Sequence, residues 1–384
     1  MKRFGVVIAI LSLVVALTAC DGGQEATPAP TPTLADRLTS TFVPAPPTSP
    51  TPVATGAPSI PANTNRTTSG RVAGDETWRG DVLITGDVEI PQGVTLTIEP
   101  GARIRFTAQS DDQHGEEEYS PEDPSTIHAT MISILVLGVL DAQGTPDQPI
   151  VFTSDSEDPG MMDWMSIAVE DGGTVVLDHV VIEHGYFGLQ LNSPVLHVSV
   201  SQSTIRDVTT CGICTGAHPI EEPVIISDSR FIRCGREAID TYWDQNIAVQ
   251  HNVFSENYVA IMSVGSSITI EGNLFINNSR GIGVVESGTP NITGNEFTQN
   301  QGAAIFVTDA SPTVTNNNIH DNMFNFQIEG GSRGVVATNN WWGSSDSEVI
   351  KDSIHDGRDD PSLGIIDFEP YANEAFRLDI PEYE

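Results

Sequence analysis

The chain has 384 residues and carries 17 Lys and Arg against 52 Asp and Glu, a formal net charge of −35 at pH 7. A surface of that sign repels polyanions, which excludes nucleic acid as a partner. With 39% hydrophobic residues there is apolar material for one large domain or two ordinary ones.

Met1, Lys2 and Arg3 give a short basic start, and residues 4–17 form an apolar run of the length of a secretory leader's core. The run is too short and too near the end to be a spanning helix between two soluble domains. It closes on Leu17-Thr18-Ala19-Cys20, which resembles the lipobox of bacterial lipoproteins. That resemblance implies a signal peptide over residues 1–20, a lipid on Cys20, and a mature protein anchored outside the cytoplasm to the cell membrane. Residues 21–70 hold ten prolines and eleven threonines. Such a segment cannot bury enough apolar surface to offset its ordering entropy and reads as a disordered tether. At ~3.1 Å per residue it could reach on the order of 150 Å.

The insert at 111–123, DDQHGEEEYSPED, has seven carboxylates in thirteen residues. It could attract calcium, although it lacks the spacing of an EF-hand loop, and it reads first as a solvated loop.

Beyond it the chain repeats. Asn252, Asn273, Asn295, Asn317 and Asn339 recur at steps of 21 to 22 residues, and Asn257, Asn278, Asn300 and Asn322 keep the same steps. A large apolar residue stands two places after each member of the first row: Phe254, Phe275, Phe297, Ile319 and Trp341. Weaker copies lie upstream, with Ser229 before Phe231, Ser203 before Ile205 and His179 before Val181. Each copy holds short alternating runs separated by Asn, Gly, Ser and Asp, the pattern of short strands joined by turns. An all-β, single-stranded right-handed parallel β-helix of about 22-residue coils follows. Its asparagines are expected to be structural. Asn tolerates the left-handed backbone of a sharp turn, and stacked side-chain amides can bond from coil to coil as a ladder.

The repeats resemble the right-handed parallel β-helix family, a pectate-lyase-like group with carbohydrate-binding and sugar-hydrolysis domains and the periplasmic β-helix protein of nitrous oxide reductase maturation. The resemblance covers residues 71–372 and leaves 373–384 as a tail. GDVLITGDVEIPQGVTLTIEPGARIRF (80–106) looks like a first coil; NNWWG (339–343) and GIIDFEPY (364–371) look like a closing segment. One such fold hosts many activities, so function must come from a site.

Alternation places Leu189, Ile213, Ile239, Ile261, Ile282 and Ile305 inward. Gln190, Cys214, Asp240, Met262, Gly283, Phe306 and Gln327 then face outward, with Asn192 and Tyr242 on the next outward row. Arg233, Arg236, Glu237, Asp240, Tyr242, Trp243 and Asp244 crowd one coil, and the loop before it carries His218. Aromatic faces beside carboxylates and amides suit sugar rings. The expected ligand face is therefore Arg233, Arg236, Asp240, Tyr242, Trp243, Asp244, Gln190, Asn192 and His218, taking a polysaccharide or another cell-envelope glycan. The alternatives are a polysaccharide lyase or glycoside hydrolase, or a structural surface protein. Binding is favoured over catalysis because Asp240 and Asp244 would stand about 13 Å apart on an extended strand, and no catalytic residue is assigned. Export permits a disulfide, and the repeat suggests Cys211 with Cys234, leaving Cys214 as an outward thiol. The four potential ligands Cys211, Cys214, His218 and Cys234 do not follow a zinc spacing, and the resemblance to metal-maturation proteins keeps copper in view.

Overall fold

The computed structural model describes residues 66–112, 130–192, 195–216, 220, 222–331 and 333–382. The leader with Cys20, residues 21–65 of the expected tether, His218 and most of the acidic insert lie outside the described residues; residues 66–70, expected to close the disordered tether, instead belong to the strand Arg66–Arg71, which pairs in parallel with Asp81–Ile90 and so is ordered by main-chain bonds.

The chain winds into a right-handed parallel β-helix, as the repeat predicts. Each coil contributes one short strand to each of three faces. The first face is a ten-stranded parallel sheet running from Glu76–Trp78 through Thr174–Asp178 to Thr313–Thr315. The second contains Val180–Glu183, Thr204–Arg206, Arg230–Ile232, Val253–Ser255, Leu274–Ile276, Glu296–Thr298 and Asn318–His320. The third contains Ser166–Val169, Leu189–Leu191, Ile213–Thr215, Glu237–Tyr242, Val259–Val264, Arg280–Val285, Ala303–Thr308 and Phe324–Gly330. The long strand Asp81–Ile90 serves both of the latter faces, pairing with Arg103–Phe106 and with Ser133–Val136.

Stacking identical coils brings like side chains into rows. Phe231, Phe254, Phe275 and Phe297 stack with ring centroids 5.0, 4.9 and 4.6 Å apart, close to the strand spacing that sets the repeat. The inward row of the third face pairs in register from Leu189 to Ile305 and continues to Phe326. At the C-terminal end, Val335–Val336 pairs with Ile366–Asp367, and Trp342 meets Phe368 edge to face. The helix Ser347–Asp352, N-capped by Asp346, plugs the end with Ile350. The chain then runs back over the coils: Asn318 exchanges bonds with the Phe376 backbone, and Arg230 donates to the Glu382 carbonyl.

The asparagines form two ladders. After the first member of each, whose oxygen accepts the backbone N–H of Ser229 or Cys234, every side-chain oxygen accepts both the backbone N–H and the side-chain amide of the asparagine one coil earlier. In the first ladder Asn252, Asn273, Asn295 and Asn317 donate through Nδ2 at 3.0 to 3.1 Å. The second runs Asn257, Asn278, Asn300, Asn322.

Two details differ from the sequence expectation. The first ladder ends on Asn340, which accepts from Asn317, while Asn339 is exposed; the residue over Ile319 is accordingly Trp342. At the other end Ser203 accepts from Val180 rather than His179. Both end coils have a 23-residue step, which a 22-residue or 24-residue extrapolation misses by one. The second difference concerns backbone. The ladder asparagines are not left-handed; the residue before each one is, at His251, Gly272, Gly294, Asn316 and Asn339 in the first row and at Glu256, Asn277, Gln299 and Asp321 in the second. The left-handed residue makes the bend, and the asparagine after it turns inward, buried in every case but the half-buried Asn322, to satisfy the groups the bend exposes.

Candidate functional site

The outward row of the third face pairs in the expected order: Gln190 with Cys214, Cys214 with Asp240, Asp240 with Met262, Met262 with Gly283, Gly283 with Phe306, and Phe306 with Gln327. Its character changes along the helix. Toward the C-terminal end it is apolar: Phe306 packs with Val259, Ala303, Met262 and Phe324, and the Arg280 guanidinium lies 4.1 Å from the Phe306 ring while pairing with Glu329. A side chain at Gly283 would strike that ring. This end is a covered outer core.

Toward the N-terminal end the row floors an open groove of about 710 Å³. Gln190 and Asn192 line it with Ala168, Glu170, Arg71 and Glu89. Gln190 accepts from Ser166 at 2.7 Å, and Asn192 donates to Glu170 at 3.1 Å. These bonds hold two amide heads toward the opening. The groove was not legible in the sequence, because its wall comes from Arg66–Arg71 and Asp81–Ile90, more than a hundred residues before Gln190.

Between these ends lies the charged coil. Asp240 and Glu237 are each only 6% exposed, and Asp240 Oδ1 and Glu237 Oε2 have no hydrogen-bond partner among the described residues. Arg236 reaches Glu237 at 3.5 Å, and Tyr242 hydrogen-bonds Asp240. Burial, reinforced by the neighbouring Glu237 carboxylate, pushes the Asp240 carboxyl up to about 7. Burial raises Glu237 as well, and the Tyr242 phenol is pushed up to about 12 by burial and by Asp240.

A stability effect follows from the sign of this shift. From the unfolded value of 3.8 up to about 7 the folded chain holds a proton the unfolded chain has released. The associated stability is complete below that window and lost as pH rises through it. Asp240→Asn should therefore unfold at the same denaturant concentration as the parent at pH 4, and be more stable by about 1–3 kcal/mol at pH 8. A parent whose stability is flat between pH 4 and 8 would refute this.

Two members of the expected ligand face, Asp244 and Arg233, stand elsewhere. Asp244 is fully buried and points inward, accepting from Thr215 Oγ1 at 2.5 Å and from the Ile220 and Tyr242 N–H groups. It ties the turn together, since the left-handed Trp243 reverses the alternation just before it. Arg233 is at a turn position, also left-handed, bonded to Asp207 at 2.7 and 2.9 Å. His218 is outside the described residues. Trp243 is 47% exposed, its indole lying flat over Gly265, whose missing side chain makes the room.

The disulfide joins Cys211 to Cys214, not Cys234. Ile213 pairs with Ile239, an offset of 26 residues, and the same offset puts Cys234 beside Val208 rather than Cys211. Cys234 occupies the second ladder's position, donating its N–H to Asn257 Oδ1, with its thiol in the core. Cys211 and Cys214 are three residues apart with Cα atoms 5.9 Å apart, within bonding reach.

Residues 167–356 match a family model described as periplasmic copper-binding protein (NosD). The match takes in both ladders and the whole third face from Ile167 onward. No curated protein and no solved structure matches the chain.

Proposed function

We propose that the protein is an extracytoplasmic β-helix that binds an extended carbohydrate along the outer side of its third face, from the groove at Gln190 and Asn192 toward Tyr242 and Trp243. The observation that carries this is the groove itself: open, about 710 Å³, and lined by oriented amides and charges, the chemistry that sugar hydroxyls pair with. An address outside the cytoplasm agrees with the leader-like start of the chain and with the periplasmic description of the matched family. We further read Cys20 as lipidated; mass spectrometry of the mature protein should find an acylated cysteine at its N-terminus, and an unmodified N-terminus elsewhere would contradict it.

The matched description also names copper, and the sequence allowed for calcium. Among the described residues no group of three or more His, Cys, Asp and Glu could hold a metal ion. Of the cysteines there, two are bonded to each other and Cys234 is sealed in the core, where burial raises its pKa and so withholds the thiolate. The described residues therefore offer no copper or calcium site, while most of the acidic insert and His218 lie outside them. A hydrolase reading fares no better, since Glu237 and Asp240 are too covered to reach a glycosidic oxygen.

The test is a glycan array probed with the mature protein, with and without calcium. Retention of a glycan without turnover is expected, and Gln190→Ala combined with Asn192→Ala should weaken it at least tenfold without changing the β-sheet circular dichroism. Retention on no glycan, or undiminished retention by the double variant, would refute the placement.

A further inference from the structure

We propose that Cys211 and Cys214 form a thiol–disulfide exchange site, with Cys214 the sulfur attacked, Cys211 the leaving sulfur, and the Glu237–Asp240 carboxyl pair the proton donor to it. The sites of exchange and of glycan binding are argued from different residues, so each can fail alone.

Four observations support this. The two cysteines enclose only Gly212 and Ile213, and a loop this short gains least from being closed. Its coil is already held by pairing on both sides, Leu189 with Ile213 and Ile213 with Ile239, so a staple there adds little. The bond lies on the outer side of the third face: Cys214 stands in the outward row, partly exposed, whereas Cys211 is 4% exposed yet outside the apolar core that contains Cys234. An incoming thiol thus has access to one sulfur and not the other. Finally, the register sets the cysteines beside the carboxyls. Cys214 pairs with Asp240, and the same offset sets Cys211 next to Glu237, whose carbonyl accepts the Gly212 N–H at 3.1 Å. Adjacent strands lie ~4.8 Å apart, so each cysteine has a buried acidic residue as its register neighbour on the next coil.

Two neighbouring buried carboxyls cannot both be ionised at low cost, so the pair retains a proton. In the exchange, a thiolate of an incoming dithiol attacks Cys214 Sγ and forms a mixed disulfide. The Cys211–Cys214 bond breaks, its electron pair goes to Cys211 Sγ, and the retained proton passes to that sulfur. The dithiol's second thiol, after losing its proton to solvent, attacks the dithiol sulfur of the mixed bond and releases Cys214, which takes a proton from solvent. The dithiol is oxidised to a disulfide, the cysteine pair is reduced to two thiols, and the carboxyl pair is reprotonated from water. The partner class is a dithiol or disulfide outside the cytoplasm, and the reverse sequence oxidises a dithiol-bearing site again.

The experiment uses the mature protein and dithiothreitol, with thiols counted by alkylation and mass spectrometry. Reduction of the pair is expected in the native state, with circular dichroism unchanged and Cys234 unlabelled. In Cys211→Ser, Cys214 should react with a disulfide reagent at least tenfold faster than Cys211 does in Cys214→Ser. The rate per dithiothreitol thiolate should fall as pH rises above about 7 in the parent, and stay flat and about tenfold lower at pH 6 in Glu237→Gln with Asp240→Asn. The groups facing Asp240 are Glu237, Arg236 and Tyr242; its neighbours in the outward row, Cys214 and Met262, carry no charge in the oxidised protein. A bond that opens only on unfolding, or equal reactivity of the two cysteines, would make it a staple and overturn the proposal. A double variant that keeps the parent's rate and pH profile would remove the carboxyl pair from it.

Discussion

Asn295→Ala is expected to destabilise the β-helix by about 3–5 kcal/mol, the sum of two or more buried polar groups left unpaired at about 1–3 kcal/mol each. Asn295 Oδ1 accepts from the Asn273 backbone at 2.9 Å and from Asn273 Nδ2 at 3.0 Å. Its own Nδ2 donates to the carbonyls of Ile270 and Thr293 and to Asn317 Oδ1. Alanine removes all of these while the bend stays, because Gly294 rather than Asn295 carries the left-handed backbone. Asn273 keeps donating its side chain to Val249 and Glu271, but its backbone N–H is orphaned. Asn340→Ala should behave similarly. Asn339→Ala, at an exposed left-handed position, should cost only about 1 kcal/mol. Guanidinium unfolding of the three variants separates them; a loss below about 1 kcal/mol for Asn295→Ala would mean that the ladder is not a source of stability.

Phe275→Ala is expected to cost about 3–5 kcal/mol, and Phe275→Leu only about 1–1.5 kcal/mol. Phe275 is fully buried and stacked on both sides, against Phe254 at 4.9 Å and Phe297 at 4.6 Å with planes 5° apart. Truncation leaves a ring-sized gap in the middle of the stack, and the coils cannot close on it because both ladders and the strand pairing on all three faces fix their spacing. The loss should be local at first, since each coil contacts only its neighbours. Hydrogen exchange should show the coils around Phe275 opening before those near Phe106. Uniform loss of protection along the helix would argue against a nearest-neighbour solenoid.

The fold was legible because a solenoid writes its geometry into the chain as a period. A row of identical residues at 21 or 22 steps can only mean that those residues stack, and alternation then gives the side each neighbour faces. This is why the outward row from Gln190 to Gln327 could be read without coordinates. The misreadings occur where the period changes. A constant step puts Asn339 in the ladder, whereas the last step is 23, and it suggests Cys211 beside Cys234, whereas the 26-residue offset of that coil sets Cys234 beside Val208, three positions before Cys211. Alternation continued through Trp243 puts Asp244 on the outer face, and the left-handed backbone at Trp243 resets it.

By itself, then, the sequence determined the coil, its repeat and the inward and outward rows, all properties of local pattern. The tertiary structure decided what the rows are worth chemically. Burial of Asp240 and Glu237, the cover of Arg280 over Phe306, and the groove walled by Arg71 and Glu89 depend on side chains that stacking brings together from distant coils. Burial depends on what stands opposite, and a one-dimensional pattern does not record that.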